Sequence, residues 1–278
     1  MIQKKLGFIG AGNMAEAFIS GLVDKSFSAL NIQVSDIDKD RLDSLSKKYG
    51  VSTTLDNREL FQNNDIIMLS IKPQVMKTVL NTIKPTQHQS YRLIISIAAG
   101  IPIKTIETIL YHELDQTAQQ LLPIIRVMPN TPALVQMGMS AVCGNSFASE
   151  NDMNMVSDIL GNIGKVITVS ENQMDAITAV SGSGPAYVFY FVESMIQASK
   201  DLGFSENESR MLVHQTAEGA LKLLKQPDAC PIQLRKQVTS KGGTTEAAMT
   251  VMTERKVKNS IIDAILNAER RAKELSKM

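Results

Sequence analysis

A glycine-rich turn between an apolar stretch and a helix-forming stretch constrains the fold of this chain more than any other feature. Residues 6–17 read LGFIGAGNMAEA, so the apolar residues Leu6, Phe8 and Ile9 come directly before a Gly-x-Gly-x-x-Ala motif. Residues 15–22 then carry the pattern of a helix. A strand before these glycines and a helix after them is the context in which the motif indicates a dinucleotide-binding turn. The sequence therefore predicts a nucleotide-binding α/β domain at the start of the chain.

Each small residue of this motif has a physical role in such a turn. Gly10 permits the tight turn, Gly12 lets the backbone approach a pyrophosphate, and Ala15 keeps the helix close to the strand. The N-terminus of the helix offers unpaired N–H groups to the anion. A glycine turn in another kind of α/β domain is the alternative. The flanking strand and helix patterns favour the dinucleotide.

The bulk composition excludes several classes of function. With 278 residues the chain has room for two domains, and 29 basic against 28 acidic residues give a net charge of +1. A net charge this close to zero gives no indication of a basic surface that would bind nucleic acid or an anionic membrane. Cys143 and Cys230 lie far apart in the sequence and do not have the spacing of metal ligands. Two such cysteines indicate ordinary packed thiols in a reducing compartment. Since neither a signal peptide nor a membrane-length apolar run is present, we expect a soluble cytoplasmic protein without nucleic-acid or membrane partners.

The order of apolar segments predicts two domains. Strand patterns at residues 6–9, 32–35, 51–54, 65–70 and 93–97 alternate with helical patterns, as expected for a parallel sheet. Further strands are predicted at residues 124–127, 139–143 and 165–169. From about Ser170 only helical patterns remain, and residues 186–201 are apolar almost all round, which predicts a homodimer. The fold class is therefore α/β, with a Rossmann-type doubly wound sheet in residues 1–169 followed by an all-α substrate and dimerisation domain in residues 170–278.

The choice of nicotinamide cofactor depends on the end of the second strand. Asp36 follows Gly12 by 24 positions, close to where an acid on the ribose diol favours NAD. Ser35, Lys39 and Arg41 could instead supply donors for a 2′-phosphate, with Asp36 turned outward into solvent. The residues themselves leave these two alternatives open.

A second glycine-rich segment precedes a helix in the C-terminal half. Residues 240–245 read SKGGTT, and we expect Thr244 and Thr245 at the N-cap and in the first turn of that helix. Their N–H and hydroxyl groups would face a small anion such as a carboxylate. An ordinary glycine loop with a threonine cap is the competing interpretation. The spacing of a phosphate-binding P-loop is absent.

The sequence offers no conventional acid–base or nucleophilic residue for such a site. His88, His112 and His214 are the only histidines, and none falls at a predicted strand end or in a glycine loop. A histidine-driven alcohol dehydrogenase is therefore disfavoured. No Gly-x-Ser-x-Gly elbow follows a strand, so a serine hydrolase would lack its nucleophile.

Taken together, these motifs resemble the pyrroline-5-carboxylate reductase family over essentially the whole chain. The most specific segment is LRKQVTSKGGTTEAAMTVM at residues 234–252, and MPNTPALV at residues 128–135 and SGSGPAYVF at residues 181–189 are similar to the family in sequence and order. One departure is Lys241, where many relatives carry proline. A stiffer loop in those relatives is the expected difference, and the anion site is expected to remain.

The resemblance implies an activity and a site. The family reduces 1-pyrroline-5-carboxylate to L-proline with NAD(P)H, the last step of proline synthesis, often as a pentamer of dimers. This implies NADP(H), with NAD(H) as the second option, and a homodimer that can form a decamer. The implied cofactor positions are Ile9, Gly10, Ala11, Gly12, Asn13, Met14, Ser35, Asn57, Ser70, Ile71, Lys72 and Ala98. The implied substrate positions are Asp228, Ser240, Gly242, Gly243, Thr244 and Thr245, with Thr245 hydrogen-bonded to the ring nitrogen.

Two alternatives to this family differ from it in the residues that they require. The β-hydroxyacid dehydrogenases share the plan of a Rossmann domain plus helices but use a lysine on the helix after a similar glycine-serine stretch. Here no lysine occurs after Gly184 until Lys200. A non-catalytic protein that binds NADPH and reports redox state would not need Thr244 and Thr245 to face the nicotinamide.

Overall fold

The computed structural model describes residues 2–23, 25–83 and 85–276. The chain forms two compact units. The first combines Met1–Ser183 with Ala268–Met278, and the second consists of Gly184–Asn267. The functional boundary between residues 169 and 170 stays a prediction.

Among the described residues, eight strands of the first unit form one sheet in the order β3-β2-β1-β4-β5-β6-β7-β8. The strands are β1 Leu6–Ile9, β2 Ile32–Ser35, β3 Ser52–Thr54, β4 Ile66–Leu69, β5 Leu93–Ser96, β6 Ile124–Met128, β7 Gly138–Gly144 and β8 Gly164–Thr168. The first six pair in parallel, as predicted for the first five. The order reverses around β1, which makes the sheet a doubly wound Rossmann type.

The sheet is not parallel throughout, because β7 pairs antiparallel with β6. Between Met128 and Gly138 the chain has a short 3-10 helix, Thr131–Val135. A parallel crossover needs a dozen or more residues, and this connection is shorter. The chain therefore turns back directly, and β8 then pairs in parallel with β7.

Helices cover both faces of the sheet. Those of the first unit are α1 Asn13–Leu22, α2 Lys39–Tyr49, α3 Asn57–Asn63, α4 Met76–Leu80, α5 Ile103–Leu110, α6 Gln116–Gln120, α7 Glu150–Gly161 and α8 Met174–Ile177. The sequence interpretation missed α5. In β4, Met68 belongs to one buried cluster and Ile67 and Leu69 to the other. Because both faces are covered, the strand is apolar at every position.

The second unit is helical, as predicted. Its helices are α9 Gly184–Asp201, α10 Glu206–Leu224, α11 Pro231–Gln237, α12 Thr244–Glu254 and the start of α13 Val257–Leu275. The spacing of Ser205 and Glu208 predicts a capping box at the start of α10, and the structure has it, since each side chain bonds the other residue's backbone N–H. Phe189, Tyr190 and Phe191 of α9 are 66%, 73% and 52% exposed in the single chain. A helix with this much exposed aromatic surface needs a partner to cover it.

Neither cysteine forms a disulfide. Cys143 lies in β7, and burial raises the pKa of its thiol to about 11. A thiol with a raised pKa is unreactive, so Cys143 serves packing. In the described part of the chain, no helix has both the length and the apolar character needed to cross a bilayer.

A buried acid at the start of α7 gives a stability prediction. The carboxylate of Asp152 accepts hydrogen bonds from the N–H and hydroxyl of Ser149, 2.9 and 2.5 Å away, and from the hydroxyl of Tyr91. Burial raises the pKa of Asp152, but the bonds from Ser149 and Tyr91 and the charge of Lys4 outweigh burial and lower it. We expect Asp152→Asn to lower the free energy of unfolding by about 1–2 kcal/mol at neutral pH.

The pH dependence of that loss follows from the lowered pKa. A carboxyl group whose pKa is lower in the folded state stabilises the protein above its unfolded pKa, and this contribution disappears as pH falls through the folded pKa. The difference in thermal midpoint between wild type and Asp152→Asn should therefore shrink below about pH 4, measured at one protein concentration. Asp158→Asn, at an exposed position of the same helix, is the control. Equal shifts for both variants would contradict the prediction.

Candidate functional site

The ends of four central strands are aligned at one edge of the sheet. Ile9 lies opposite both Ser35 and Leu69, and Leu69 lies opposite Ser96. Because these strands are parallel, the turns that follow them meet at the same edge, where α/β proteins bind ligands. The structure brings together there the residues predicted for the cofactor, which are Ile9–Met14, Ser35, Asn57, Ser70–Lys72 and Ala98.

Gly10 packs closely against the two neighbouring strand ends at this edge of the sheet. Its N–H donates to the carbonyl of Ser35 at 2.8 Å, and its carbonyl accepts from the hydroxyl of Ser70 at 2.7 Å. Its φ is +102°, and an added Cβ would lie 2.6 Å from the carbonyl oxygen of Ser70. Both the conformation and the space therefore require glycine.

Gly12 differs from Gly10 because the space beside it is open. It is the N-cap residue of α1, and a Cβ added there would have no atom within 4 Å. The first N–H groups of a helix have no partner inside the helix, so those of α1 are available to a ligand. An open backbone cradle at a helix N-terminus fits the pyrophosphate of a dinucleotide.

Ser35 and Asn57 form a pair behind this cradle. Ser35 is fully buried, and its hydroxyl donates to the side-chain carbonyl of Asn57 at 2.7 Å. Asn57 is the first residue of α3. The hydroxyl of Ser35 is therefore already engaged in joining β2 to α3.

Of the two alternatives left open for Asp36, the structure does not show the one in which this side chain turns outward into solvent. One of its carboxylate oxygens accepts the N–H of Ala11 at 2.7 Å, and the other accepts the N–H of Asp38 at 3.0 Å. Arg41 also contacts this turn, since its Nε donates to the carbonyl of Ala11 at 2.8 Å. The acid and the guanidinium together fix the backbone at Ala11.

Glu16 of α1 holds Arg41 in place. The Arg41 Nη2 lies 2.5 Å from one carboxylate oxygen of Glu16, and the Lys48 Nζ lies 2.9 Å from the other. Hydrogen bonds from Lys48, Arg41 and Tyr49 outweigh burial and keep the pKa of Glu16 below its ordinary value. Glu16 therefore stays ionised, and the guanidinium has a permanent partner.

The sequence interpretation missed a contact between two of the family-like segments. The Asn130 side-chain N–H₂ donates to the carbonyl of Ser181 at 3.1 Å, and its oxygen accepts the N–H of Met139 at 2.9 Å. Ser181 lies in a π-type turn, Thr178–Gly182, of a kind that is frequent at functional sites. Asn130 thus joins the end of β6 to this turn. No spacing rule could have indicated a pair 51 residues apart.

The second candidate segment lies in the helical unit. α12 begins at Thr244 with Gly243 as its N-cap, so the expectation of Thr244 at the N-cap is wrong by one residue. Gly243 takes that position because its backbone is extended, with φ −85° and ψ 170°. Thr244 and Thr245 both fall in the first turn, where helical N–H groups lack internal partners.

The glycines of this segment are held by the segment itself. The Gly242 N–H donates to the Glu246 carboxylate at 2.7 Å, and the Gly243 N–H donates to the carbonyl of Ser240 at 3.1 Å. The helix start at Thr244 and Thr245 is therefore the part that can take a ligand. Asp228 lies elsewhere in the same unit, exposed in the turn between α10 and α11 with φ +59°.

Histidines lie away from both candidate segments in sequence. His88, His112 and His214 are all exposed. Across the described ranges, no group of three or more His, Cys, Asp or Glu residues is placed to hold a metal ion.

Two family models match the two parts of the chain. Residues 171–275 match the model described as pyrroline-5-carboxylate reductase dimerisation. Residues 5–100 match the model described as NADP oxidoreductase coenzyme F420-dependent. The second match includes the glycine turn and the first five strands.

Whole-chain relatives agree with these matches. The chain is 35% identical to pyrroline-5-carboxylate reductase 2 of Bacillus subtilis over 98% of this chain and 95% of the relative. A solved pyrroline-5-carboxylate reductase of Coxiella burnetii has 36% identity and a TM-score of 0.88 over 100% of both chains. A Plasmodium falciparum pyrroline carboxylate reductase solved with NADP bound has 32% identity and a TM-score of 0.87 over 99% of both chains.

The contrast between the two glycines gives a prediction. Since Gly12 borders open space, Gly12→Val should fold with an unchanged thermal midpoint but place its side chain where the pyrophosphate must approach. We expect its Kd for NADP⁺, measured by calorimetry, to rise at least about tenfold. Gly10→Ala should instead lower the thermal midpoint, because its Cβ meets the Ser70 carbonyl at 2.6 Å. Unchanged NADP⁺ affinity in Gly12→Val would move the dinucleotide away from this turn.

Proposed function

The chain belongs to the pyrroline-5-carboxylate reductase family, and we propose that it reduces 1-pyrroline-5-carboxylate to L-proline by hydride transfer to the cyclic C=N bond. This makes it an oxidoreductase acting on CH–NH groups, in the last step of proline synthesis. The observation that carries the proposal is identity of about one third along the full chain, 35% to the Bacillus subtilis enzyme and 36% to the Coxiella burnetii structure. The sheet edge and the start of α12 supply the two sites that the reaction needs.

NADP(H) is the proposed cofactor, with NAD(H) as the second option. Residues 9–14 would hold its pyrophosphate, with Ser70–Lys72 and Ala98 bordering the rest of the groove. Ser35 and Asn57 would support the adenosine side. The NADP found in the Plasmodium falciparum relative supports this choice. When bound, the nicotinamide supplies the hydride.

The start of α12 is the proposed substrate site. The N–H groups of Thr244 and Thr245 would bind the carboxylate, and Ser240, Gly242 and Gly243 would shape the loop that presents them. The hydroxyl of Thr245 would hydrogen-bond the ring nitrogen, and Asp228 would lie on the substrate side of the dimer. The support for this arrangement is the uncapped N-terminus of α12, where Gly243 has no capping side chain.

This reaction requires little acid–base catalysis by side chains of the protein. A cyclic imine can be protonated before it binds, so the residues have mainly to orient the ring and exclude other poses. A threonine hydroxyl suits that task because it can donate or accept without changing its charge. The exposed positions of the three histidines agree with a mechanism that uses none of them.

The position of Lys200 argues against the alternative activity, that of a β-hydroxyacid dehydrogenase. The β-hydroxyacid dehydrogenases need a lysine near the start of the helix that follows the glycine-serine stretch. Lys200 lies in the last turn of α9, which begins at Gly184. Sixteen residues of helix place their backbones about 24 Å apart.

The proposed enzyme is a cytoplasmic homo-oligomer. The dimerisation model covers residues 171–275, and the exposed aromatic residues of α9 supply apolar surface for a homodimer. We propose five such dimers in a decamer, with residues 1–169 binding cofactor and residues 170–278 binding substrate and partner. The two unpaired cysteines agree with a cytoplasmic location.

A direct assay tests the activity. The purified protein is mixed with NADPH and 1-pyrroline-5-carboxylate, the loss of NADPH absorbance is followed, and L-proline is identified by chiral chromatography. Binding of NADPH without turnover would instead support a redox sensor.

The role of Thr245 gives a prediction. Thr245→Ala should lower kcat/KM for the pyrroline by about 10- to 100-fold, the effect of losing one hydrogen bond to a charged group. Its Kd for NADP⁺ should stay within about twofold of wild type, because the hydroxyl faces the substrate. Thr253→Ala, in the same helix with its hydroxyl bonded to the Met249 carbonyl, is the control and should keep wild-type turnover. Unchanged turnover in Thr245→Ala would remove this residue from the mechanism.

The exposed face of α9 gives a prediction about assembly. Phe191→Asp places a charge on a side chain that is 52% exposed in the single chain. If a partner covers this residue, the charge must be buried, and the oligomer should dissociate. Native mass spectrometry should show monomers for Phe191→Asp and intact oligomers for Lys47→Asp, a control on the exposed surface of α2. An oligomer that survives Phe191→Asp would place the interface elsewhere.

A further inference from the structure

We propose that the end of α13 positions the loop after β5 for binding of the nicotinamide half of the cofactor. Residues 268–276 form this α13 tail, residues 97–102 form the β5–α5 loop, and both belong to the first compact unit. The inference rests on the proposed function and deepens it, because it takes a nicotinamide dinucleotide as the ligand. The tail acts through the loop and needs no contact with the cofactor.

The β5–α5 loop lies on the side of the groove that the nicotinamide would occupy. The central strands stand in the order β2-β1-β4-β5, and Ser96 at the end of β5 lies opposite Leu69 at the end of β4. The adenosine is proposed beside β2 and the pyrophosphate beside the turn after β1. The rest of a dinucleotide therefore extends towards β4 and β5, where Ala98 lies in the loop.

The α13 tail packs against the turn of this loop. Gly100 has a φ of +73°, and a Cβ added to it would lie 3.5 Å from the Cβ of Leu275 and 3.9 Å from the backbone nitrogen of Ser276. These are van der Waals distances, so the backbone of Gly100 faces the last turn of α13. Ala272, one turn earlier in the helix, is 5% exposed. The tail therefore covers the loop at the residue where the chain turns.

A buried arginine connects the tail to the other end of the same loop. The Arg126 Nη1 lies 3.2 Å from the Glu171 carboxylate, and its Nη2 lies 3.9 Å from Oδ1 of Asp175. Glu171 also accepts the N–H of Ile103, the first residue of α5, at 2.7 Å. Oδ2 of Asp175 accepts the hydroxyl of Ser276 at 3.4 Å. One guanidinium thus lies between the start of α5 and the end of α13.

The carboxylate of Asp175 makes this connection sensitive to the tail. Its Oδ1 is buried and accepts no hydrogen bond from the residues that the structure describes. A buried acceptor without a hydrogen bond is unfavourable, so the bond from Ser276 to the other oxygen matters more. Loss of this bond would loosen Asp175, and through the shared guanidinium of Arg126 also Glu171 and the start of α5.

A loop held at both points is ordered before the cofactor binds. Ordering a loop loses conformational entropy, and a ligand that has to order it binds more weakly. The tail should therefore strengthen binding of the nicotinamide half. The adenosine and pyrophosphate halves are proposed to bind at β2, β1 and α1 and should depend on the tail much less.

The test compares two ligands on the full-length protein without any pyrroline. NADPH carries the nicotinamide, whereas 2′-phospho-ADP-ribose carries the same adenosine, phosphates and second ribose without it. The double variant Leu275→Gly/Ser276→Ala removes the Cβ beside Gly100 and the hydroxyl bonded to Asp175. Leu275→Gly alone is the milder second variant. Lys273→Gly, at an exposed position of the same helix end, introduces the same helix-weakening residue and is the control.

The quantity measured is the ratio of the NADPH Kd to the 2′-phospho-ADP-ribose Kd, by calorimetry. We expect this ratio to rise at least about fivefold in the double variant and about threefold in Leu275→Gly. In Lys273→Gly it should stay within about twofold of wild type. Thermal midpoints show which variants are folded at the temperature of the measurement, and Leu275→Gly decides if the double variant is not.

Other results count against the inference. An unchanged ratio in the folded variants, or an equal change in Lys273→Gly, would overturn it. A parallel rise of both Kd values would also overturn it, because the tail would then support the whole unit and not the nicotinamide half. Failure of the proposed reductase activity is separable, since both ligands are measured without substrate and without turnover.

Discussion

The close approach of the first strand's turn to its neighbours is the constraint on which the rest of the structure depends. Gly10 bonds the Ser35 carbonyl on one side and accepts from the Ser70 hydroxyl on the other, so one residue joins three strand ends. A side chain at Gly10 would force these ends apart. With them together, α1 starts at the sheet edge and presents the N–H groups of its first turn to the groove. Backbone contacts thus fix the position of the proposed pyrophosphate site.

Much of this arrangement could be predicted because its signals are local. An apolar strand, two glycines and a helix occur within residues 6–22, and this order is enough to predict a nucleotide turn. The capping box of Ser205 and Glu208 spans four residues and is also present as expected. Features of this kind depend on neighbours in sequence, and these are visible without a structure.

The features that could not be predicted depend on residues distant in sequence. The direction of Asp36 is decided by the N–H of Ala11, 25 residues away. The contact of Asn130 with Ser181 joins two segments whose similarity to a family was evident but whose proximity was not. The reversal of β7 follows from a short connection, and its strand pattern alone looks like that of a parallel strand. Each of these features depends on a residue or connection that the hydrophobic periodicity of the sequence cannot identify.

The return of the last helix to the first unit has a consequence for how the protein is made. Residues 268–278 belong to the same compact unit as residues 1–183, Ala272 is only 5% exposed, and the hydroxyl of Ser276 lies 3.4 Å from Asp175. Domains usually fold in order of synthesis, the N-terminal one first. Here the unit that is translated first cannot complete its packing until the final turns of α13 leave the ribosome. The helical unit, although translated later, has its whole chain available before the first unit does.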